Sequence, residues 1–354
     1  MGLENFYRSK RVLITGNTGF KGGWLTLWLS YLGADIKGFS QKPPTIPSFF
    51  ELTKLDSCYQ TINGDVRNFD SVSKVVKDFQ PEIIFHLAAQ PLVRYSYHNP
   101  LETYETNVMG TANLLEASKK SQALKTIINV TSDKCYENND FNKSFKEGDR
   151  LGGNDPYSSS KACAEIISNS FFKSYFKSSE IQLATVRAGN VIGGGDWGKD
   201  RLIPDIYRAL DKEMSIKLRN PKATRPWQHV LEPINGYLIL AKLLFQGLVV
   251  DPNNQWNFGP EKDDIKSVEW VIKSFQKLNS KIKFDKVKSD LQESQRLSLD
   301  ISKAKRKLDW HPKWKIKKTI EATHNWYEDF YSNGNMQQKS LIQISEYIKS
   351  FSKT

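Results

Sequence analysis

Residues 11–22 read RVLITGNTGFKG and give the strongest indication of the fold. Residues 11–15 are largely β-branched and apolar, which is typical of a buried strand. Glycines follow at positions 16, 19 and 22, and apolar side chains then recur at helical spacing up to Leu32. A strand, a glycine loop and a helix in this order let the backbone approach a dinucleotide pyrophosphate at a helix N-terminus. A tight turn that starts a helix is the simpler alternative.

Strand and helix patterns alternate through the first half of the chain. Strands are predicted at residues 35–39, 81–89, 126–130 and 181–187, and helices begin near Pro100 and at Pro156. This alternation predicts an α/β fold with a Rossmann-like, doubly wound parallel sheet. We predict an NAD(P)-binding domain at residues 1–189 and a smaller C-terminal α/β domain at residues 190–354. Some segments of the second half are expected to return to the first domain.

Polar residues follow the strand at residues 126–130, where parallel sheets bind ligands. They read Thr131-Ser132-Asp133-Lys134, and Tyr157 and Lys161 follow on the next predicted helix. Residues four apart share a helix face, so the ammonium of Lys161 would lower the pKa of Tyr157 from ~10. Tyr157 would then take a proton from a hydroxyl while a nicotinamide takes the hydride. The alternatives are a solvated helix face and, for the serine and aspartate, a helix cap.

The composition excludes several classes of protein. The three cysteines, at positions 58, 135 and 163, show no C-x-x-C spacing, which argues against a disulfide framework and a metal site. Cysteines in this number and spacing are consistent with a reducing cytoplasm. Residues 1–10 lack an apolar signal core, and the apolar stretch from Tyr237 to Val250 is interrupted by Lys242. That stretch is too short to span a bilayer, so no membrane partner is expected.

The formal net charge of +12 permits an anionic partner. Residues 303–318 form the densest basic stretch and would be the site for a nucleic acid. Leu308, Trp310 and Trp314 lie between these basic residues, as expected for a segment that packs against the core. We therefore expect a solvated lysine-rich surface and no nucleic-acid partner. Attraction of a doubly charged pyrophosphate, which needs only a few local cations, is a third interpretation.

Several motifs together resemble the extended short-chain dehydrogenase/reductase superfamily and its NAD-dependent epimerases and dehydratases. Within it the chain is similar to the CDP-glucose 4,6-dehydratases, over about residues 10–327. The serine-aspartate-lysine triplet separates this group from its dTDP-glucose relatives, which have Thr-Asp-Glu there. Asn17 departs from the pattern, where histidine is common. The motifs are TGNTGFKG at 15–22, TSDKCYEN at 131–138, Tyr157 with Lys161, RAGNVIGGGDW at 187–197 and RPWQHVLEP at 225–233.

The resemblance implies conversion of CDP-D-glucose to CDP-4-dehydro-6-deoxy-D-glucose and water. The steps are oxidation at carbon 4, elimination across carbons 5 and 6, and hydride return to carbon 6. Tyr157, assisted by Lys161, would deprotonate the hydroxyl at carbon 4, and Ser132 would hydrogen-bond its oxygen. Asp133 would protonate the leaving hydroxyl, for which it must stay protonated. Lys134 would be a neutral base at carbon 5, or would hold the enolate by its charge.

The resemblance also implies a set of ligand-binding residues. The acidic residue that would select NAD is missing after the second strand, where Ser40, Gln41 and Lys42 stand, so the sequence leaves the choice between NAD and NADP open, and NAD is expected from the resemblance. Asp65 is a candidate adenine contact, or a turn or helix cap. Arg225 and Arg296 are candidates for the pyrophosphate because guanidinium groups bind phosphate oxygens bidentately. The predicted cofactor residues are Gly16, Thr18, Gly19, Phe20, Gly22, Asp65, Val66, Leu87, Ala88, Ala89, Asn107, Tyr157 and Lys161. The predicted residues of the nucleotide-sugar side are Asn190, Arg201, Arg219, Arg225, His229 and Arg296.

Three further expectations concern assembly and alternative activities. The superfamily implies a homodimer, or a dimer of dimers, formed by the helices after Pro100 and Pro156. The dehydratase group suggests a role in dideoxyhexoses of surface polysaccharide, such as the O-antigen of lipopolysaccharide. The rival hypotheses are a nucleotide-sugar 4-epimerase, a non-catalytic dinucleotide- or nucleic-acid-binding protein, and a net dehydrogenase that accumulates NADH.

Overall fold

The computed structural model describes residues 2–138, 143–249, 251, 254–287 and 296–351. A parallel sheet of seven strands in the order β11-β6-β5-β4-β1-β2-β3 forms its centre. Three strand pairs, β7 with β10, β8 with β13 and β9 with β12, lie outside that sheet. The strands are β1 Arg11–Thr15, β2 Asp35–Ser40, β3 Gln60–Asn63, β4 Ile83–His86, β5 Thr126–Val130, β6 Gln182–Ala188, β7 Val191–Ile192, β8 Ser215–Leu218, β9 Thr224–Pro226, β10 Gln228–His229, β11 Gln255–Phe258, β12 Ile265–Ser267 and β13 Lys283–Lys286.

Helices connect the parallel strands, as the alternating pattern predicts. The expected helix after Pro100 is present as α6 and α7, which a π-helical segment at Glu105–Met109 joins. A second π-helical segment, Phe172–Phe176, extends α8. The helices are α1 Leu3–Tyr7, α2 Phe20–Tyr31, α3 Phe49–Leu52, α4 Phe69–Phe79, α5 Val93–His98, α6 Pro100–Tyr104, α7 Gly110–Ser118, α8 Pro156–Phe171, α9 Leu202–Asp211, α10 Leu231–Phe245, α11 Val268–Leu278, α12 Ser302–Leu308, α13 Ile316–Tyr331 and α14 Met336–Lys349.

Local signals explain the two elements that bracket the polar motif. Every residue of β5 is buried, as expected for a central parallel strand covered on both faces. Helix α8 begins behind Asp155, whose carboxylate accepts a hydrogen bond of 2.9 Å from the backbone N–H of Ser158. Pro156 occupies the first helical position, where its missing N–H costs nothing. The cap and the proline therefore place Tyr157 in the first turn of α8.

The second half of the chain contributes to the central sheet. Strand β11 pairs with β6 in parallel register and forms the edge of the sheet. Helix α10 also returns, since the hydroxyl of Tyr7 donates to the carbonyl oxygen of Leu238 over 2.8 Å. Residues 1–189 thus supply strands β1 to β6, and residues 255–258 supply the last strand. The division into two functional domains at residue 189 stays a prediction.

The C-terminal helix α14 lies against the core. The polar sequence from Asn333 to Thr354 predicts one peripheral helix; α14 is that helix, and Tyr347 is buried on the face that it turns to the core. The hydroxyl of Tyr347 donates to Glu232 Oε2 over 2.6 Å, while Glu232 Oε1 accepts the backbone N–H groups of Lys313 and Trp314 at 2.9 and 2.6 Å. A buried carboxyl therefore joins α10, the chain before α13, and α14.

The apolar stretch that begins at Tyr237 lies mostly within α10, and Val250 falls outside the described residues. Among the residues that the structure describes, no helix combines the length and apolarity that crossing a membrane requires.

Candidate active site

The glycine loop between β1 and α2 has the shape of a dinucleotide cradle. Gly16 has a φ of +76°, and a Cβ there would lie 2.6 Å from the backbone nitrogen of Ala88. A Cβ at Gly22 would lie 2.0 Å from the carbonyl oxygen of Gly16. Helix α2 starts after Gly19 with no side chain capping it, so its first N–H groups face the loop without a side-chain partner. The closely packed loop and the free helix end fit a pyrophosphate.

The other predicted cofactor residues surround this loop at the carboxyl ends of β1, β2, β3 and β4. The hydroxyl of Thr18 donates to the carbonyl oxygen of Gln41 over 3.0 Å, and Phe20 opens α2. The backbone of Leu87 donates to Thr15, and Ala88 and Ala89 follow it. Val66 is buried, and a Cβ on Gly110 would contact it at 2.6 Å. The structure therefore gathers these residues along one sheet edge.

Asp65 lies at this edge beside the end of β2. Its Oδ2 accepts hydrogen bonds from Gln41 Nε2 at 2.8 Å and from Arg67 Nε at 2.8 Å. Partial burial opposes ionisation, but the hydrogen bonds from Arg67 hold the pKa of Asp65 below its usual value. The anionic carboxylate links the ends of β2 and β3, which is where the adenosine half of a dinucleotide lies in this fold.

Two histidines and one asparagine are supports within the core. His86 is buried between Thr15 and Thr111, at 2.7 and 3.2 Å, which confirms its interpretation as a satisfied core histidine. The buried side chain of Asn107 bonds both backbone groups of Gln90 and the hydroxyl of Ser160. These protein groups engage the side chain of Asn107, and the contact of this residue with the cofactor stays a prediction.

His229 departs from expectation. It is fully buried, its ring centre lies 4.8 Å from that of Trp314 and 6.0 Å from that of Trp24, and burial lowers its pKa to about 3. It packs beneath the site and does not line the nucleotide-sugar side. The periodicity of the sequence could not reveal this, because the two tryptophans come from distant segments.

The predicted catalytic residues meet at the carboxyl end of β5. The hydroxyl of Ser132 donates to Asp133 Oδ1 over 3.2 Å and lies close enough to the phenol of Tyr157 to influence its pKa. The ammonium of Lys161 donates to the carbonyl oxygen of Val130 over 3.3 Å. Lys134 is half-buried in the short 3₁₀ turn Asp133–Cys135, and its backbone N–H bonds the hydroxyl of Ser132. Ser132 therefore caps the 3₁₀ turn and also belongs to the predicted catalytic set.

Burial dominates the protonation of this cluster. It raises the pKa of Asp133 above its usual value, against the nearby charge of Lys134, so the carboxyl favours the protonated form that an acid needs. It lowers the pKa of Lys161 to about 8. It also raises the pKa of Tyr157 to about 12, although the hydrogen bond from Ser132 acts in the opposite direction. The expected lowering of the tyrosine pKa is therefore wrong in the protein alone, because desolvation by burial is the largest effect on the Tyr157 phenol.

Two site residues were missed from the sequence. Lys21, in the first turn of α2, is half-buried near Lys161, Asp133 and Arg201, and desolvation lowers its pKa to about 8. Asp196 binds Arg201 Nη1 through both carboxylate oxygens, at 2.9 and 3.1 Å. A lysine among apolar residues of a glycine loop, and an aspartate five positions before an arginine, were the available signals.

The remaining predicted substrate residues lie on the side of the site formed by the second half of the chain. Arg201 is close enough to Tyr157 to influence its pKa, and Arg225 influences that of Asp133. Arg296 forms a bridge with Thr224, the neighbour of Arg225. The two arginines proposed for the pyrophosphate therefore come from adjacent strands.

Arg219 and Asn190 lie further along the same side. Arg219 Nη2 lies 2.8 Å from Asp200 Oδ1, which Arg94 Nη1 approaches to 3.8 Å. The carbonyl oxygen of Asn190 accepts the backbone N–H of Gln228 at 3.0 Å, next to β7 and β10. In the described part of the chain, no group of three histidine, cysteine or acidic residues could hold a metal ion.

Comparisons with known proteins agree with this geometry. The curated CDP-glucose 4,6-dehydratase of Salmonella typhimurium is 44% identical over 354 residues, covering 98% of each chain. The human dTDP-D-glucose 4,6-dehydratase is 26% identical and covers 94% of each chain. The structure of dTDP-glucose 4,6-dehydratase from Bacillus anthracis in complex with NAD superposes with a TM-score of 0.76 at 24% identity, covering 93% of this chain and 100% of that one. The family model described as GDP-mannose 4,6 dehydratase matches residues 13–323, and the chain belongs to that family.

Proposed function

We propose that this protein is an NAD-dependent 4,6-dehydratase of CDP-glucose, with CDP-4-dehydro-6-deoxy-D-glucose and water as its products. One observation carries the proposal. The hydroxyl of Ser132 hydrogen-bonds the buried carboxyl of Asp133 and lies close enough to the phenol of Tyr157 to influence its pKa. Asp133 could act as an acid, and Tyr157 could deprotonate a hydroxyl during hydride transfer. Two such groups close together suit an oxidation that is followed by loss of water. The 44% identity to the Salmonella enzyme supports CDP-glucose as the substrate.

The oxidation begins at the hydroxyl on carbon 4. Bound NAD would accept the hydride from carbon 4 and return it to carbon 6. In its oxidised form it would also add a positive charge near the reacting groups. Tyr157 takes the hydroxyl proton, and Ser132 donates to the oxygen as a carbonyl forms there. Lys161, four residues after Tyr157 on α8, favours the phenolate form by its charge.

The elimination uses the neighbouring residues. The new ketone acidifies the hydrogen on carbon 5, and Lys134 accepts that proton or holds the resulting enolate by its charge. Asp133 gives its proton to the hydroxyl on carbon 6, which leaves as water. Burial of Asp133 raises its pKa, which favours the protonated carboxyl that this step needs. The hydride then returns to carbon 6, and carbon 5 is reprotonated. Because of the hydride return, the cofactor would finish oxidised.

The substrate's anionic half would bind the arginines of the opposite side. Arg225 and Arg296 are proposed for the pyrophosphate, with Arg201, Arg219 and the backbone of Asn190 beside them. Guanidinium groups match phosphate oxygens in pairs, which gives orientation as well as charge. The net charge of +12 adds a long-range attraction for such a dianion.

The reaction is tested by incubating the purified protein with NAD and CDP-glucose and following the sugar by mass spectrometry. Loss of one water without accumulation of NADH supports the dehydratase. Asp133→Asn should stop water loss but allow transient reduction of NAD, while Lys134→Met should block exchange of the carbon 5 hydrogen with solvent. Asp35→Asn, at an exposed site on the opposite end of the sheet, is the matched control. An unchanged mass would refute CDP-glucose as substrate, and a change of stereochemistry alone would favour an epimerase.

We propose that the enzyme works as a homodimer, alone or as half of a dimer of dimers. Helices α6 and α8, with the π-helical segment after α6, carry three large apolar side chains that are well exposed. Leu101 is 76% exposed, Ile166 57% and Met109 53%. Pairing these helices with a second copy would bury them. We place the reaction in the cytoplasm, since Cys58, Cys135 and Cys163 are free thiols and the product suits dideoxyhexose synthesis.

A further inference from the structure

We infer that Glu165, through its ion pair with Arg187, is a positioning residue that aligns the two catalytic segments with each other. The inference rests on the proposed function, because the segments are those that carry Ser132 and Tyr157. Glu165 does not reach the reacting atoms and would act through its neighbours.

The ion pair lies in the interior between α8 and β6. Both side chains have no solvent exposure. Arg187 Nη2 lies 2.7 Å from Glu165 Oε2, and Arg187 Nε lies 2.8 Å from Oε1, so the contact is bidentate. Arg187 Nη1 also donates to the hydroxyl of Tyr136 at 2.6 Å and to the carbonyl oxygen of Glu147 at 3.0 Å. Burying two charges contributes little net stability over apolar packing, so the pair calls for a further role.

The carboxylate of Glu165 joins the end of β5 to α8. The hydroxyl of Thr131 donates to Oε1, and Thr131 immediately precedes the Ser132-Asp133-Lys134 motif. On the helix, Glu165 lies one turn beyond Lys161 and two turns beyond Tyr157, on the same face. Lys161 in turn bonds the carbonyl oxygen of Val130. The strand end and the helix are therefore tied together at two consecutive residues, through Glu165 and through Lys161.

The same carboxylate acts on Lys161 by its charge. Burial lowers the pKa of Lys161 to about 8, and Glu165 opposes that shift more than Cys135 does. Glu165 thus favours the ammonium form of the lysine that assists Tyr157. Arg187 holds the carboxylate of Glu165 at this position. From there the carboxylate both ties the end of β5 to α8 and acts on Lys161 by its charge.

The chain offers a matched pair of variants. The hydroxyls of Thr131 and Thr185 each donate one hydrogen bond to Glu165, and both threonines are buried. Only Thr131 adjoins the catalytic motif, whereas Thr185 lies in the middle of β6. Thr131→Val and Thr185→Val therefore each remove one bond to the same carboxylate, and Thr131→Val also removes a 3.3 Å bond to the carbonyl oxygen of Val186. This comparison avoids Glu165→Gln, which would leave a buried, unpaired arginine and endanger folding.

We expect Thr131→Val to lower kcat about tenfold or more with KM within about twofold of wild type, as for a small displacement of catalytic groups. Thr185→Val should keep kcat within about twofold, and Thr131→Ser should restore activity. Amide hydrogen exchange at residues 131–137 should be faster in Thr131→Val and unchanged in Thr185→Val. Equal losses of kcat in both valine variants, in step with their melting temperatures, would overturn the inference.

The exchange measurement separates this inference from the proposed function. If the wild type releases no water from CDP-glucose, the proposed function is refuted, and alignment is judged on hydrogen exchange alone. Equal exchange at residues 131–137 in Thr131→Val and Thr185→Val would then overturn the positioning role.

Discussion

Replacing Glu232 by glutamine should remove a pH dependence of stability that this buried carboxyl imposes. Burial raises the pKa of Glu232 to about 7, against hydrogen bonds from Tyr347 and the backbone N–H groups of Trp314 and Lys313. The folded protein therefore binds a proton more tightly than the unfolded chain, in which glutamates titrate near their ordinary pKa of 4.5. The stability that this proton provides is complete below the unfolded pKa and is lost as the pH rises through about 7.

The magnitude follows from the difference between the ordinary glutamate pKa of 4.5 and the pKa of about 7 in the folded protein. Each unit corresponds to about 1.36 kcal/mol, so wild-type stability should fall by about 3 kcal/mol from this group between pH 4.5 and pH 8. Glutamine resembles the neutral carboxyl in shape and still accepts the backbone N–H groups at its amide oxygen. The difference in unfolding free energy between Glu232→Gln and wild type should therefore move by about 3 kcal/mol in favour of the variant over this range.

Urea unfolding of both proteins at a series of pH values, followed by tryptophan fluorescence, measures this difference. Glu82→Gln is the matched control. Lys10 and the backbone of Arg11 outweigh burial and lower the pKa of Glu82, so its contribution is lost as the pH falls. A difference between Glu232→Gln and wild type that stays constant within about 1 kcal/mol from pH 4.5 to 8 would refute the reasoning.

Three further predictions concern the site and the assembly. Tyr157→Phe should lower kcat by about 10²–10⁴-fold while NAD binding persists, as turnover and fluorescence titration would measure, and near-normal turnover would exclude Tyr157 as the base. Gly22→Ala should weaken NAD binding more than tenfold, because its Cβ would lie 2.0 Å from the carbonyl oxygen of Gly16, whereas Gly148→Ala, with open space around it, should bind normally in calorimetry. Ile166→Lys should yield monomers in sedimentation experiments, and an unchanged mass would place any dimer interface elsewhere.

The elements that carry the fold and most of the site could be predicted because their signals are local. The glycine spacing at residues 16–22 specifies a strand, a loop and a helix within one stretch. Burial of all five residues of β5 follows from an apolar, β-branched run, and the position of Ser132 at its end follows from parallel topology. Pro156 and the spacing of Tyr157 and Lys161 likewise need no distant partner.

The features that the sequence could not predict have long-range causes. Asn107 and His229 carry polar groups that suit a ligand, yet their partners, Gln90, Ser160 and the two tryptophans, come from other elements. The pKa of Tyr157 depends on how completely the second half of the chain covers it. No local pattern measures that coverage, so the sequence suggests the effect of Lys161 without the larger effect of burial.

The parallel pairing of β11 with β6 has a consequence for the order in which the protein is synthesised. Strand β6 ends at Ala188, and β11 begins at Gln255, so the ribosome must add the intervening residues before the sheet can be completed. Until then β6 is an edge strand with unpaired backbone groups, although all but its first residue are buried in the folded protein. The nascent chain therefore passes through a stage that is prone to association with other chains, and a fragment ending at residue 189 would remain at that stage.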